Sequence, residues 1–206
     1  MQRAALDFEC FSRELASVDR ECRERLLGEG REYPTLERFQ TLLGRLGLAN
    51  DGLAEQLTQT HMGLLRQTAR FHPHHVEVLS ELHRSVRIGV CSNFSHSPTA
   101  RDLIEKAGLS PHIDVIVISE DVGIRKPRRE IFEAALSGLG TEREDTLHVG
   151  DNLRADVEGA AASGITPVWI TRRVSNPEEA LGSYTGPSPV HTIQDLSELL
   201  RLASSE

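Results

Sequence analysis

The sequence predicts an α/β protein in which a doubly wound parallel sheet follows a helical module. From residue 73 onward, short apolar runs alternate four times with amphipathic helical segments, and this alternation is typical of a parallel sheet. Before residue 73 only helical periodicity is found. The third apolar run ends at Gly150-Asp151, and a second aspartate follows at position 156. Taken alone, this pair indicates either a turn with a capping residue or a metal site at the sheet edge.

The composition is that of a globular protein. A length of 206 residues accommodates one core domain with a small accessory domain. The net charge of −8 argues against general binding to nucleic acids or to anionic membranes. No apolar run is long enough to cross a bilayer, and no signal peptide opens the chain. The three cysteines lack the spacing of a metal site, which favours reduced thiols and a cytoplasmic location. The oligomeric state is left open.

Residues 1–72 are expected to form the helical module and residues 73–206 the α/β core. In the module, the predicted helices are 9–27, 34–46 and 51–70, and glycines or an Asn-Asp cap mark their ends. In the core, the predicted order is helix 74–83, strand 86–91, helix 97–106, strand 114–118, helix 128–139, strand 146–149, helix 156–163, strand 167–171, loop 176–190 and helix 193–202.

Polar residues follow the predicted strands at the points where the strands end. Because the carboxyl ends of parallel strands meet at one edge, we expect these residues to converge there. They are Ser92-Asn93 after the first strand, Lys126 after the second, Asp151 after the third and Arg172-Arg173 after the fourth.

This set of side chains is suited to handling a phosphoryl group. Ser92 and the backbone N–H groups of Asn93 and Phe94 can hold an anionic oxygen, and Lys126 can supply a positive charge. Asp151 with Asp156 offers the oxygen ligands that Mg²⁺ prefers. The alternatives are an ordinary turn at Ser92-Asn93 and a surface position for Lys126.

The scarcity of lysine weighs against a surface role for Lys126. Of the 23 basic residues, only Lys106 and Lys126 are lysine. A lysine in such a chain suggests a position suited to a compact ammonium group rather than to a flat guanidinium.

Three motifs resemble those of the haloacid dehalogenase (HAD) superfamily in order, spacing and strand context. They are Val90-Cys91-Ser92-Asn93, then Gly123-Ile124-Arg125-Lys126-Pro127 with Ile131-Phe132, and Val149-Gly150-Asp151 through Asp156. The resemblance implies a Rossmann-like core, a helical cap, Mg²⁺ as cofactor and usually phosphate-ester hydrolysis through an aspartyl-phosphate.

The resemblance also assigns roles to the residues of these motifs. Ser92, with Asn93, would bind the transferred phosphoryl group of a small phosphorylated substrate. Lys126 would steady the nucleophile and the phosphate. Asp151 would ligate Mg²⁺, and Asp156 would support the metal or its waters.

The family's first motif, an Asp-x-Asp on the central strand before the cap, has no clear match. Asp7-Phe8-Glu9, after the short apolar run 4–6, is one alternative, with Asp7 as nucleophile. The favoured alternative is the first turn of a helix. In that case the strands beside the missing one would have unpaired edges or would pair with each other. The simplest interpretation is then an N-terminally shortened version of a longer protein.

Three function hypotheses follow. The first is a capped HAD-like hydrolase, a Mg²⁺-dependent small-molecule phosphatase in its full-length form, with the activity of this shortened form left open. The second is a catalytically dead module that binds a phosphorylated ligand or a protein partner. The third, a 2-haloacid dehalogenase, needs no metal, and the Asp151–Asp156 pair argues against it.

Two other features are interpreted as structural. The stretch Phe71-His72-Pro73-His74-His75 fits no standard metal-site spacing and is expected to be a hinge and helix start. Cys91, beside Ser92, is expected to be a buried strand residue rather than a nucleophile.

Overall fold

A computed structural model describes residues 7–203, apart from the side chains of Leu26 and Leu27. The elements are α1 (Phe8–Glu29), α2 (Thr35–Arg45), α3 (Asp51–Thr68), α4 (His74–Leu82), β1 (Gly89–Ser92), α5 (Ser97–Lys106), β2 (Val115–Ile118), α6 (Ser119–Val122), α7 (Arg129–Leu139), β3 (Leu147–Gly150), α8 (Gly159–Ala162), β4 (Thr166–Ile170), α9 (Pro177–Ser183), β5 (His191–Ile193) and α10 (Leu199–Leu202). No helix among residues 7–203 has both the length and the apolar character needed to cross a membrane.

The first three helices pack on one another around their own apolar cluster. In α1 and α2 the buried residues lie three or four positions apart, and so on one side of each helix. In contrast, α3 buries Ala54, while its leucines Leu53 and Leu64 are exposed. The buried members are Val18, Cys22, Phe39, Leu42, Leu43 and Ala54. The division of the chain at residue 72 stays a prediction.

A buried ion pair connects the segment before α2 to the α/β part. The Glu32 side chain is 1% exposed, and its two oxygens lie 2.8 and 3.0 Å from Arg125 Nη1. Ser119 Oγ also donates a hydrogen bond to Glu32. Nearby, the Thr35 N–H donates to Ser95 O at 2.9 Å. These contacts hold the start of α2 against the loops that follow β1 and β2.

The five described strands form two parallel sheets rather than one. β1 pairs with β2, and β3, β4 and β5 form the second sheet with β4 in the middle. A second apolar cluster packs α7 and α8 on these strands, with Ile131 and Phe132 almost fully buried. The parallel α/β architecture confirms the predicted fold class.

The two sheets are separated at β1 and β3, which have no strand neighbour on one side among the described residues. Burial agrees with this arrangement, because Leu147 at the start of β3 is 47% exposed whereas Val168 in β4 is fully buried. A continuous sheet would need one more strand between β1 and β3. Among residues 7–203 the edges of β1 and β3 are unpaired, which is one of the two arrangements expected if the central strand is missing.

Asp7 and Glu9 adopt the helical alternative. Asp7 Oδ1 accepts a hydrogen bond of 2.7 Å from the Cys10 N–H, which is the geometry of a helix cap, and Glu9 lies in the first turn of α1. The apolar run 4–6 lies outside the described residues.

Four boundary predictions were wrong in part. The predicted strand 86–91 is observed as β1, Gly89–Ser92. The predicted helix 156–163 is a π-helical turn, Leu153–Glu158, followed by the short helix α8. The predicted loop 176–190 contains α9, which Asn176 caps with an accepted bond from the Glu179 N–H. The predicted helix 193–202 starts later, because residues 191–193 pair with β4 and a capping box of Asp195 and Glu198 begins the helical turns.

Candidate active site

Lys126 is fixed by Asn93 through its backbone. Asn93 Nδ2 donates to Lys126 O at 3.0 Å, and the Lys126 N–H donates to Asn93 Oδ1 at 2.8 Å. The Asn93 side-chain amide after β1 therefore fixes the loop after β2 through both its donor and its acceptor group. The Lys126–Pro127 peptide bond that follows is cis. Two residues that the sequence assigned to different strand ends are thus in direct contact.

The Lys126 side chain crosses from one sheet to the other. Its Nζ donates to Cys91 O on β1 at 2.6 Å and lies 2.7 Å from Asp156 Oδ1. The lysine and aspartate side chains are only 10% and 7% exposed. Lys126 is therefore a buried cation beside the open edge of β1, as the scarcity of lysine suggested.

The Asp156 carboxylate is contacted by donors from three residues. Besides Lys126, His148 Nε2 lies 2.9 Å from Asp156 Oδ1, and the Asn152 N–H donates to Oδ2 at 3.0 Å. Burial alone would raise the pKa of Asp156, but the His148 hydrogen bond and the Lys126 charge hold it well below its usual range. Asp156 is therefore an ionised anchor for Lys126.

The polypeptide geometry around Asp156 depends on Gly150 and on the π-helical turn. A Cβ at position 150 would lie 2.1 Å from Asp156 Cγ, so that only glycine fits at the end of β3. The Asn152 side chain accepts hydrogen bonds from the N–H groups of Arg154 and Ala155 and so caps the turn. This π-helical turn places Asp156 against the end of β3.

Asp151 differs from Asp156 in that its carboxylate is exposed and receives no hydrogen bond or ion pair from residues 7–203. Its backbone is fixed, because Trp169 Nε1 donates to Asp151 O at 3.0 Å, and Trp169 is 1% exposed. An unpaired carboxylate on a fixed backbone fits a hard cation such as Mg²⁺. At the end of β3 the Asp151 carboxylate is thus free for a metal, while the Asp156 carboxylate already has partners.

Ser92 ends β1, and its hydroxyl has no hydrogen-bond partner among the described residues. The Phe94 N–H, expected to help hold an anion, donates to Ser119 Oγ at 2.9 Å instead. Cys91 is mostly buried, and burial raises the pKa of its thiol to about 11, which makes a nucleophilic thiolate unfavourable.

A cavity of about 200 Å³ lies between the helical part and the same edge of the α/β part. Leu36, Thr58 and Gln59 line it from α2 and α3. His96 and Glu120, which follow β1 and β2, line it from the α/β part. A small polar molecule at the sheet edge would therefore contact both parts of the chain.

Sequence reasoning missed His148 and Ser119. His148 interrupts the apolar run of β3, and this polar residue at a strand position was the signal available. Ser119 starts α6 and is fully buried. Its contacts with Glu32 and Phe94 come from distant segments, so no local pattern marks it.

The fold and these side chains define a Rossmann-like α/β protein with a lysine and two aspartates at the carboxyl edge of its strands. The family model of the haloacid dehalogenase-like hydrolases matches residues 8–164. The chain belongs to this family.

Several curated relatives are phosphatases. The chain is 32% identical to the phosphoglycolate phosphatase of Rhodospirillum rubrum, over 82% of this chain and 73% of that protein. It is 33% identical to the pyrimidine 5'-nucleotidase YjjG of Escherichia coli K12, over 63% of this chain. The matched region spans 55% of that nucleotidase and 32% of the phosphoserine phosphatase of Thermus thermophilus.

Solved structures with the same fold include two kinds of protein. A 2-haloacid dehalogenase from Pseudomonas syringae pv. Tomato DC3000 gives a TM-score of 0.70 at 19% identity, over 97% of this chain and 82% of that one. The magnesium-bound putative HAD-hydrolase YfnB from Bacillus subtilis gives 0.64 at 23% identity, over 98% and 86%. At these identities the likeness concerns the fold.

Proposed function

We propose that this chain is a Mg²⁺-dependent phosphatase of small phosphorylated molecules, acting in the cytoplasm. The observation that carries the proposal is the Lys126–Asp156 pair at 2.7 Å beside the free carboxylate of Asp151. A buried ammonium next to a site for a divalent cation is suited to the negative charge of a phosphoryl group. The phosphatases among the curated relatives support this choice of substrate class.

In this proposal, each side chain has a distinct task. The Ser92 hydroxyl donates to a phosphoryl oxygen, since it has no other described partner. Lys126, held in place by Asn93, neutralises the phosphate charge. Asp156 holds the Lys126 ammonium in position. The cavity between the helical part and Glu120 takes the remainder of the substrate.

At the end of β3 the Asp151 carboxylate is free to bind Mg²⁺ directly, and Asp156 would support the metal's waters. When bound, Mg²⁺ would supply positive charge to the phosphoryl oxygens.

An aspartyl-phosphate also needs a nucleophilic carboxylate facing the phosphate. Within residues 7–203, the carboxylates built into this site are Asp151 and Asp156, and neither is placed on a strand between β1 and β3. The open edges of β1 and β3 therefore favour a second candidate function, a module that binds a phosphorylated ligand or a protein partner without turnover.

One experiment separates the two functions. Hydrolysis of para-nitrophenyl phosphate by the full chain is measured with Mg²⁺ and with EDTA, and binding of inorganic phosphate is measured by calorimetry. The phosphatase proposal predicts turnover that EDTA abolishes and that falls at least 100-fold in Asp151→Asn. The binding-module proposal predicts no turnover but phosphate binding that Lys126→Met weakens at least tenfold.

Controls address the nucleophile and the competing chemistry. Turnover that survives in Asp7→Asn excludes Asp7 as the nucleophile, and equal turnover in Asp151→Asn overturns the metal-dependent mechanism. Halide release from 2-chloropropionate without Mg²⁺ would replace the phosphatase proposal with a dehalogenase. Absence of turnover and of phosphate binding would overturn the phosphatase proposal and the binding of a phosphorylated ligand.

A further inference from the structure

Three histidines before and at the start of α4 come together with an aspartate from the other end of the chain. This His–Asp cluster consists of His72, His74, His75 and Asp195. Asp195 lies 120 residues after His75, directly past β5. The sequence spacing of the histidines alone favoured a hinge, because the fourth member could not be assigned to them from local sequence.

The potential ligand atoms of the cluster lie close enough together to hold a metal ion. His74 Nε2 lies 3.0 Å from both Asp195 oxygens, and His75 Nε2 lies 3.3 Å from Oδ2. The three potential ligand atoms lie within 4.8 Å of one another. In a tetrahedral zinc site with bonds of about 2.0–2.2 Å, neighbouring ligand atoms are about 3.3 Å apart. A small side-chain adjustment would bring all three to bonding distance of one ion.

Asp195 is oriented for such a role. Its Oδ1 accepts hydrogen bonds from the Ser197 N–H at 3.0 Å and from Ser197 Oγ at 2.8 Å. Both donors belong to Ser197, in the helical turn that the capping box of Asp195 and Glu198 begins, so this turn orients the carboxylate. Metal-binding carboxylates are commonly oriented by second hydrogen bonds of this kind.

A cation already neutralises the cluster. Arg172 donates to Asp195 Oδ2 through Nη1, and its Nη2 lies 2.8 Å from His72 Nδ1. The His72 ring centroid is 5.2 Å from that of His75. The imidazole and carboxylate groups of the cluster thus already surround one positive group, the Arg172 guanidinium. A metal ion at this site would compete with Arg172 for Asp195.

The types of ligand atom in the cluster favour one kind of metal ion. Two imidazole nitrogens with one carboxylate oxygen suit Zn²⁺, whereas Mg²⁺ prefers oxygen ligands alone. Three protein ligands leave a fourth position for water. The cluster shares no residue with the candidate active site.

We propose that His74, His75 and Asp195 form a Zn²⁺ site that joins the start of α4 to the segment after β5. Zinc there would tether two parts of the chain that are far apart in sequence and would stabilise the folded chain.

The test uses the untagged full chain after chelator treatment. Zn²⁺ binding is measured by competition with a chromophoric chelator, and Co²⁺ is used to record the absorption bands of a tetrahedral site. We expect one equivalent of Zn²⁺ to bind, Tm to rise on binding, and Mg²⁺ at millimolar concentration not to compete. His74→Asn/His75→Asn should weaken binding at least 100-fold, and Arg172→Met should strengthen it.

Two further variants make the test specific. Asp195→Asn keeps a residue that caps helices well, so it should fold normally yet weaken binding at least tenfold. His83→Asn/His112→Asn removes two histidines from another ring pair and should leave binding unchanged. Failure to saturate by 1 mM Zn²⁺, or equal binding in His74→Asn/His75→Asn, would overturn the proposal. Neither result depends on phosphatase activity.

Discussion

Gly150 and Asp156 are packed so closely that the space for a side chain at position 150 is taken by the Asp156 carboxylate. A Cβ on residue 150 would lie 2.1 Å from Asp156 Cγ and 2.5 Å from Oδ2. The carboxylate is also the partner of Lys126. Gly150 is thus needed because a larger residue would displace the carboxylate that pairs with Lys126. Glycine at the end of β3 is not explained by the geometry of the turn alone.

Gly150→Ala should therefore destabilise the protein and displace Asp156. Because the contact is with a buried, bonded carboxylate and not with a flexible chain end, we expect a loss of about 1–3 kcal/mol in the free energy of unfolding. Denaturant titration measures it. Gly63→Ala is the matched control, since a Cβ there meets nothing within 4 Å, and this helical substitution should stabilise by up to about 1 kcal/mol. Equal effects of the two substitutions would contradict the packing argument.

The Lys126–Asp156 pair gives a second prediction. Lys126→Met leaves a buried carboxylate without its cation, which should cost about 3–5 kcal/mol at pH 7. The double variant Lys126→Met/Asp156→Asn removes both charges and should recover part of that loss. A double-mutant cycle by urea denaturation should give a coupling of about 1–3 kcal/mol. Additive effects would show that the pair contributes no coupling.

The strand ends were predictable from the sequence because their signals are local. An apolar run followed by Gly150-Asp151, or by Ser92-Asn93, marks a strand terminus without knowledge of the rest of the chain. The family resemblance then supplied their order and expected roles. The contacts of His148 with Asp156 and of Phe94 with Ser119 were not predictable, because they depend on a π-helical turn and on loops that meet only in the fold.

The same distinction explains the C-terminal errors. The stretch 176–190 has the glycine, proline and serine content of a loop, and this composition outweighed the local cap at Asn176-Pro177, which begins α9. β5 has only three residues and is defined by its pairing with β4. A strand this short carries too little periodicity to be separated from the helical turns that follow it.

The buried pair Glu32–Arg125 should matter more for stability than an exposed pair of the same type. Arg125→Met leaves the Glu32 carboxylate, 1% exposed, without its charged partner and should cost about 3 kcal/mol. The control is Arg101→Met, which breaks an ion pair with Asp121 whose side chains are 49% and 43% exposed. That loss should stay below about 1 kcal/mol. Similar losses, measured by thermal unfolding, would show that burial of Glu32 does not amplify the effect.

His148 should make the folded protein sensitive to mild acid. Burial lowers the pKa of His148, and the Lys126 charge lowers it further. The hydrogen bond to Asp156 acts in the opposite direction but does not cancel the shift. The unfolded chain therefore takes up a proton as the pH falls below about 6.5, whereas the folded chain does so only at lower pH. Stability contributed by neutral His148 is complete above that pH and is lost as the pH falls towards the folded pKa. Asp156 adds a later loss below about pH 4, since its pKa is also lowered in the fold.

The variant His148→Gln isolates this contribution, because glutamine retains an N–H donor for Asp156 but does not titrate. The free energy of unfolding is measured from pH 5 to 8 for both proteins. Other histidines, including His61 and His96, also have lowered pKa values and remain in both. The wild type should therefore lose stability faster than the variant below about pH 6.5, with an added slope of up to about 1.4 kcal/mol per pH unit. Parallel curves would mean that His148 binds protons equally in the folded and unfolded states, which its burial against Phe132 and Asp156 argues against.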